Sequence, residues 1–211
     1  MRVISGSARG RHLRAASQTR PTADLIKGAI FSMLEALAYK RGFEPDEDGN
    51  LAAGLAWPRV LDLFAGSGGL GIEALSRGAE SADFVEQDRD AARIIASNLR
   101  TTDLDERAHV HQAPAALALR SVHGPVDLVF ADPPYDASGA LSTAVAALAE
   151  PGRLRPTSVV VLEQPWDAEP PAAVGDLPLS NTRRHGRTRI SLYALDTRSE
   201  ALPEGVPAGV S

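Results

Sequence analysis

The chain has 211 residues, 44% apolar and 23% charged, with a formal net charge of −5. That suffices for one full α/β core with a small appendage, and no apolar stretch is long enough to span a bilayer. The lack of cysteine excludes disulfides and thiolate metal sites. Residues 1–6 lack the apolar core of a secretion signal, so a cytoplasmic location is expected.

The charge is unevenly spread. Residues 1–30 hold Arg2, Arg9, Arg11, Arg14, Arg20 and Lys27 against Asp24 alone, a balance of +5, and the rest carries −10. A basic arm on an acidic body is expected, with phosphate as its natural partner. Residues 2–15 alternate weakly around Gly6 and Gly10 and predict a small β-hairpin, with residues 1–20 as the arm. Leu25, Ile26, Ala29, Ile30, Met33, Leu34 and Leu37 recur at helical spacing, with Thr22 or Asp24 as N-cap. Residues 21–57 thus read as a connecting helix followed by an acidic, turn-rich loop over 42–54.

From Val60, strands and helices alternate. Strands are expected at 60–64, 81–86, 107–112, 126–131 and 158–164, and helices at 70–77, 89–99, 115–122 and 140–149. This predicts a mostly parallel sheet covered on both faces, a Rossmann-like domain over 58–196. Two extended runs between Leu179 and Leu195, around Arg183-Arg184-His185-Gly186-Arg187, add an antiparallel hairpin. Residues 197–211 read as a disordered tail.

Two segments carry chemistry. Asp62-Leu63-Phe64-Ala65-Gly66-Ser67-Gly68-Gly69-Leu70-Gly71 is a glycine-rich turn leaving a strand, the pattern that lets backbone approach a nucleoside. Such a turn alone is weak evidence. Asp62 favours an ammonium group, or its bound water, over a pyrophosphate. Glu86, followed by Gln87 at the end of the next strand, is placed to accept bonds from both ribose hydroxyls.

The second segment, Asp132-Pro133-Pro134-Tyr135, ends the buried run 126–131. Asp132 and the Pro133 carbonyl can accept hydrogen bonds from an exocyclic amine and localise its lone pair. The prolines fix the turn, and Tyr135 can stack on a base, worth roughly 1–3 kcal/mol. A rigid turn would explain Asp-Pro-Pro by itself. Its place on the same sheet edge as the glycine turn favours methyl transfer to a nucleobase amine.

With these segments, Arg9-Gly10-Arg11, Arg20-Pro21-Thr22 with Asp24 and Phe31, Glu73-Ala74-Leu75-Ser76-Arg77-Gly78-Ala79 and Glu86-Gln87-Asp88 complete a pattern. The chain resembles the bacterial small-subunit rRNA (guanine-N2) methyltransferases of the RsmD type over residues 2–195. The resemblance implies S-adenosyl-L-methionine as cofactor. It also implies the N2 amine of one guanine in 16S rRNA as target, within an assembled or assembling 30S subunit. The cofactor residues it implies are Asp62, Phe64, Ala65, Gly66, Ser67, Gly68, Leu70, Gly71, Glu86, Gln87, Ala113 and Asp132. Where the family often places Asp or Asn near the adenine, this chain has Ala113-Pro114, so those contacts are expected to be backbone and apolar. Leu25 and Gly28 also replace the Arg or Lys and the Glu usual after Asp24.

Arg9, Arg11, Arg14, Arg20, Thr22 and Lys27 are the expected RNA contacts, with the hairpin as a positioning arm. The cluster Arg183, Arg184 and Arg187 reads as a polar hairpin tip rather than an RNA contact. His109 and His111 share a strand face, but no third ligand is evident and no metal is expected. Trp57 and Trp166, each beside a proline, are expected to pack. A monomer is expected, since one base per subunit needs no symmetry. Two other readings remain: a DNA adenine-N6 or cytosine-N4 methyltransferase, for which the chain has little room to recognise a target, and a non-catalytic ribosome-assembly factor.

Overall fold

The computed structural model describes residues 1–15, 23–44, 56–134 and 138–196. Arg20, Pro21, Thr22, Tyr135, residues 45–55 and residues 197–211, for all of which the sequence raises expectations, lie outside the described residues.

Helix α1 (Ala23–Lys40) precedes an alternating series: β1 (Arg59–Leu63), α2 (Gly69–Ser76), β2 (Ser81–Glu86), α3 (Arg89–Thr102) and β3 (Ala108–Gln112). It continues as α4 (Ala115–Ala118), β4 (Val126–Ala131), α5 (Ser138–Leu148), β5 (Leu154–Pro165), β6 (Ala173–Val174), β7 (Leu177–His185) and β8 (Thr188–Tyr193). The strands form one eight-stranded sheet in the order β3-β2-β1-β4-β5-β8-β7-β6. Neighbours from β3 to β5 pair in parallel, whereas β8 runs antiparallel to both β5 and β7. This is the Rossmann-like architecture, with its antiparallel C-terminal strands, that the strand-helix alternation predicts.

All six residues of β4 are buried because the sheet is covered on both faces. One core joins α1, α2 and α3 to the sheet through Ile30, Phe31, Leu34, Ile72, Leu75, Ile95, Phe84 and Phe130. The other joins α4 and α5 through Ala118, Leu141, Ala144, Leu148, Leu61, Val129 and Val160. Departures from the strand and helix pattern are few. Helix α4 stops at Ala118, with turn bonds carrying the chain to Val122. Strand β5 starts four residues early because Leu154 pairs with Val126 across a bulge.

Helix α3 shows why the local sequence decides its own ends. Asp88 accepts from the amides of Asp90 and Ala91 at its start, and Asp103 closes it in the left-handed conformation at φ 57°. The N-terminal segment departs from expectation. It is hairpin-like, with an Arg2–His12 bridge, but it lies flat on the body instead of projecting as an arm. Ser7 N–H donates to Ser76 O (2.8 Å) and Ala8 N–H to Ser76 Oγ (2.9 Å). A Cβ on Gly6 would fall 1.8 Å from Ser76 O, so the approach depends on glycine. Because α2 runs back from the carboxyl end of β1, this turn sits at the sheet edge opposite the strands' carboxyl ends. Among the described residues no helix is long and apolar enough to cross a membrane.

Candidate active site

The order β2-β1-β4 places a topological switch point between β1 and β4, where open α/β sheets bind ligands. Register aligns Leu63 with Val85 on one side and with Ala131 on the other. Phe64, Glu86 and Asp132, each one residue further on, therefore emerge side by side. Two segments separated by about seventy residues of sequence meet here.

The glycine turn is bent sharply. Phe64 takes φ 59°, Gly66 φ 57° and Gly68 φ 80°. A phenylalanine in this region is strained, at roughly 1–3 kcal/mol, and strain of that kind gathers at binding loops. Three side chains hold the turn. Glu86 Oε2 accepts from Gly66 N–H at 2.8 Å, while its Oε1 accepts from Asp88 N–H at 2.8 Å. Asp62 Oδ2 accepts from Gly71 N–H at 2.9 Å. Buried Asn98 donates from Nδ2 to Ser67 O and Arg14 O and accepts from Arg14 N–H. Asn98 gave no signal in the sequence, because a polar residue inside an amphipathic helix looks like solvent-facing filler. Gly71 has a steric role: a Cβ there would stand 2.4 Å from Phe84 Cε1.

Asp62, Glu86 and Asp132 converge electrostatically. Burial foremost, and then the charges of Asp132 and Glu86, push the Asp62 carboxyl up to about 8, against the lowering effect of the Gly71 amide. Three acids around one turn suit a cation. S-adenosylmethionine carries a sulfonium and an ammonium, and at Gly66 the backbone is open to a ligand, since a Cβ there would meet only Phe64 O at 4.0 Å. Each Glu86 oxygen retains acceptor capacity after its amide bond, enough for ribose hydroxyls. The residues present fit the cofactor. Gln87 is exposed at the end of β2, and Ala113 N–H donates to Glu86 O, tying the β3 end to that corner. Ala65, Ser67 and Leu70 complete the turn, with Leu70 part-buried on the core.

On the other side of β4, Pro133 is buried and Pro134 exposed. A cavity of about 310 Å³ opens there, lined by Pro133, Pro134, Leu141, Glu163, Gln164, Pro165, Asp167 and Ala168. The Asp132 turn thus stands between the glycine turn on the β1 side and this cavity on the β5 side. Gln164 is 8% exposed, and its Oε1 has no hydrogen-bond partner among the described residues. The wall from Glu163 to Ala168 was not legible in the sequence, because its residues converge on the site only when β5 lies beside β4.

The expected RNA contacts scatter. Arg9 is exposed on the turn at the far sheet edge, and Arg14 is exposed beside Asn98. Arg11 pairs with Asp103 at 2.8 Å and donates to Thr101 O near the end of α3. Arg20 and Thr22 are outside the described residues. Lys27 is a correction: it is 2% exposed, 3.1 Å from Glu73 Oε2, and donates to Arg2 O at 2.6 Å. It cannot meet phosphate in this position, because the helix turns it into the interface with the N-terminal segment. His111 Nε2 is bonded to Asp83 Oδ1 at 2.7 Å, and no group of three metal-ligating side chains occurs among the described residues.

Fold, switch-point turn and acid cluster define a class I methyltransferase domain. Comparison with known proteins narrows the class. The family model described as Conserved hypothetical protein 95 matches residues 1–194. "Putative rRNA methyltransferase YlbH" of Bacillus subtilis is 38% identical over 198 residues, covering 92% of this chain and 98% of its own. "Ribosomal RNA small subunit methyltransferase D" of Escherichia coli K12 is 29% identical over 203 residues, covering 95% and 93%. A solved structure titled "Putative methyltransferase yhhF from Escherichia coli" superposes with a TM-score of 0.71 at 30% identity, covering 92% of this chain and 96% of that one. The chain belongs to this family, the RsmD-type rRNA methyltransferases.

Proposed function

We propose that the protein transfers a methyl group from S-adenosylmethionine to the exocyclic N2 amine of a guanine in 16S rRNA, acting as a cytoplasmic monomer on the 30S subunit. The observation that carries this reading is the position of Asp132. It emerges beside Phe64 at the switch point, with the glycine turn on one flank and the cavity on the other.

Bound cofactor supplies an electrophilic methyl on a sulfonium. The work of the chain is to hold, aim and localise. Asp62 would receive the cofactor's ammonium and Glu86 the ribose hydroxyls, and Gln87 and Ala113 would border the adenine. Asp132 and the Pro133 carbonyl accept the N–H bonds of the target amine, which turns its lone pair out of ring conjugation toward the methyl. Holding the two reactants in line removes much of the entropic barrier, up to roughly 7–11 kcal/mol in well-oriented systems. The surplus proton leaves through Asp132 or to water. Tyr135 is the stacking partner in this scheme, and Arg9, Arg11, Arg14, Arg20 and Thr22 are the residues of the N-terminal half that would meet RNA.

The cavity supports guanine over adenine or cytosine. Guanine presents adjacent donors, N1–H and the N2 amine, along one edge, whereas the other two place a ring acceptor beside the amine. A wall containing Glu163, Gln164 and Asp167 offers acceptors. Its volume is near the lower end of ligand pockets, roughly 300–1,000 Å³, as one base would need. The target must be unpaired or flipped for its amine to reach Asp132.

The test is transfer of labelled methyl from S-adenosylmethionine to 30S subunits lacking the modification, to naked 16S rRNA and to duplex DNA, followed by nucleoside analysis. N2-methylguanosine from the subunits is expected. Label only in DNA, or none despite cofactor binding, would overturn the reading.

A further inference from the structure

We infer that the β7–β8 tip, with Trp166 behind it, is an RNA-backbone clamp that grips phosphates flanking the target nucleotide. This rests on the rRNA reading above and extends it to a surface that the sequence assigns to a plain polar turn.

Position comes first. Strand β8 is antiparallel to β5, pairing Thr188 with Pro165 and Arg189 with Gln164. The tip between His185 and Thr188 therefore stands beyond the carboxyl end of β5, on the same edge as Asp132. Gln164, Pro165, Asp167 and Ala168 at its foot are walls of the cavity beside the Asp132 turn. Strand β8 lies two strand spacings from β4, about 10 Å. Nucleotides next to a base held at Asp132 are within reach of the tip.

Charge comes second. Arg183, Arg184, Arg187 and Arg189 fall within seven residues, and residues 177–195 contain no Asp or Glu. None of the four forms an ion pair among the described residues, in contrast to Arg11, Arg77, Arg93 and Arg155. On an acidic protein, a run of uncompensated guanidinium groups at the site edge marks a place for an anion.

Order comes third. The Arg184 and Arg189 guanidinium carbons lie 4.9 and 4.3 Å from the centroid of the Trp166 ring. Arg189 also donates from Nη2 to Trp166 O at 2.6 Å, and Arg184 from Nε to Gly186 O at 2.9 Å. These two side chains are held before RNA arrives, which lowers the entropy cost of binding. Arg183 and Arg187 are exposed at the same tip, Arg183 on the opposite sheet face from Arg184 by strand alternation.

The competing role is protection of a sheet edge. Strand β7 is bonded on its outer side from Leu177 to Leu179, short of the arginines, and arginines discourage edge-to-edge association. Salt dependence separates the two roles. Removing one phosphate-bound cation lowers the slope of log K against log salt by roughly 0.7 on single strands and 0.9 on duplex.

The experiment uses the full chain, a fluorescent 16S rRNA transcript and a salt series. R183S/R187S is expected to weaken binding about tenfold at low salt and flatten the slope by roughly 1.4–1.8. W166A is expected to weaken binding less at low salt, by freeing Arg184 and Arg189. Cofactor Kd and kcat at saturating 30S are expected to hold, with KM for 30S raised. R100S/R120S, two exposed arginines away from the tip, changes net charge equally and is expected to leave the slope alone. An unchanged slope in R183S/R187S, or an equal loss in R100S/R120S, overturns the clamp. Self-association of R183S/R187S with unchanged RNA binding overturns it in favour of edge protection. The binding arm involves no methyl transfer, so failure of the methylation reading and failure of the clamp give different results.

Discussion

Lys27 Nζ lies 3.1 Å from Glu73 Oε2, and both side chains are closed off from solvent. Glu73 also accepts from the amides of Ile4 and Ser5 and from Arg77 Nε, each within 2.9 Å. Arg77 in turn reaches Glu35 and sits 4.5 Å over the Phe31 ring. The Glu73-to-Ala79 run, so useful for recognising the family, is thus a structural joint. It binds the N-terminal segment and α1 onto α2.

Replacing Lys27 by Met should therefore lower stability without touching RNA binding. Removing one partner of a buried pair costs about 3–5 kcal/mol, and the surviving Arg77 partner argues for the lower end. Urea unfolding would read the loss, and the Kd of the folded fraction for 16S rRNA should match wild type. Weakened RNA binding in the folded protein would restore Lys27 as a phosphate contact.

Asp62 links pH to stability and, in its proposed role, to cofactor binding. Its folded value of about 8 stands above the ordinary 3.8, so the folded state keeps a proton that the unfolded chain releases. The contribution is full below about pH 4, falls as pH rises, and is lost above about 8, at up to about 1.4 kcal/mol per pH unit. Asp62→Asn should flatten that dependence in unfolding curves measured between pH 5 and 8. A bound ammonium favours the ionised form, so wild-type cofactor affinity should rise with pH and binding at pH 7 should release a proton. Calorimetry in buffers of unlike ionisation heat would show it, and a buffer-independent heat would count against the assignment.

Asp132 should govern the reaction. Asp132→Ala is expected to lower kcat by roughly 10²–10⁴ while the cofactor still binds. Asp132→Asn removes a charge that raises the Asp62 carboxyl, so the pH dependence above should move to lower pH. Full activity in either variant would assign lone-pair localisation elsewhere.

Gly71 tests the packing beneath the turn. A methyl group added there would stand only 2.4 Å from Phe84 Cε1, so Gly71→Ala overpacks the junction between α2 and β2. A loss of about 1–3 kcal/mol and weaker cofactor binding are expected. Phe84→Leu should recover part of both in the double variant. Simple additivity of the two losses would mean that the residues do not press on each other.

Local pattern carried the parallel sheet, the glycine turn and the Asp-Pro-Pro turn, because each is written within a few consecutive residues. Apolar runs such as 126–131 mark buried strands, and Gly66 and Gly68 mark a bend that other residues resist. Charge counting over residues 1–30 was a poorer guide. It treated Lys27 as a free cation, whereas burial against Glu73 decides otherwise.

What the sequence determined by itself was the architecture, the position of the Asp132 turn and the kinship of the chain, all properties of short contiguous motifs. Only the tertiary structure decided which acids gather around the turn, that Asn98 laces it to Arg14, and which edge each arginine occupies. The reason is physical: electrostatics, burial and reach depend on distance in space. Residues from Glu163 to Arg189 become neighbours of Asp132 only when β5 and β8 add to the sheet.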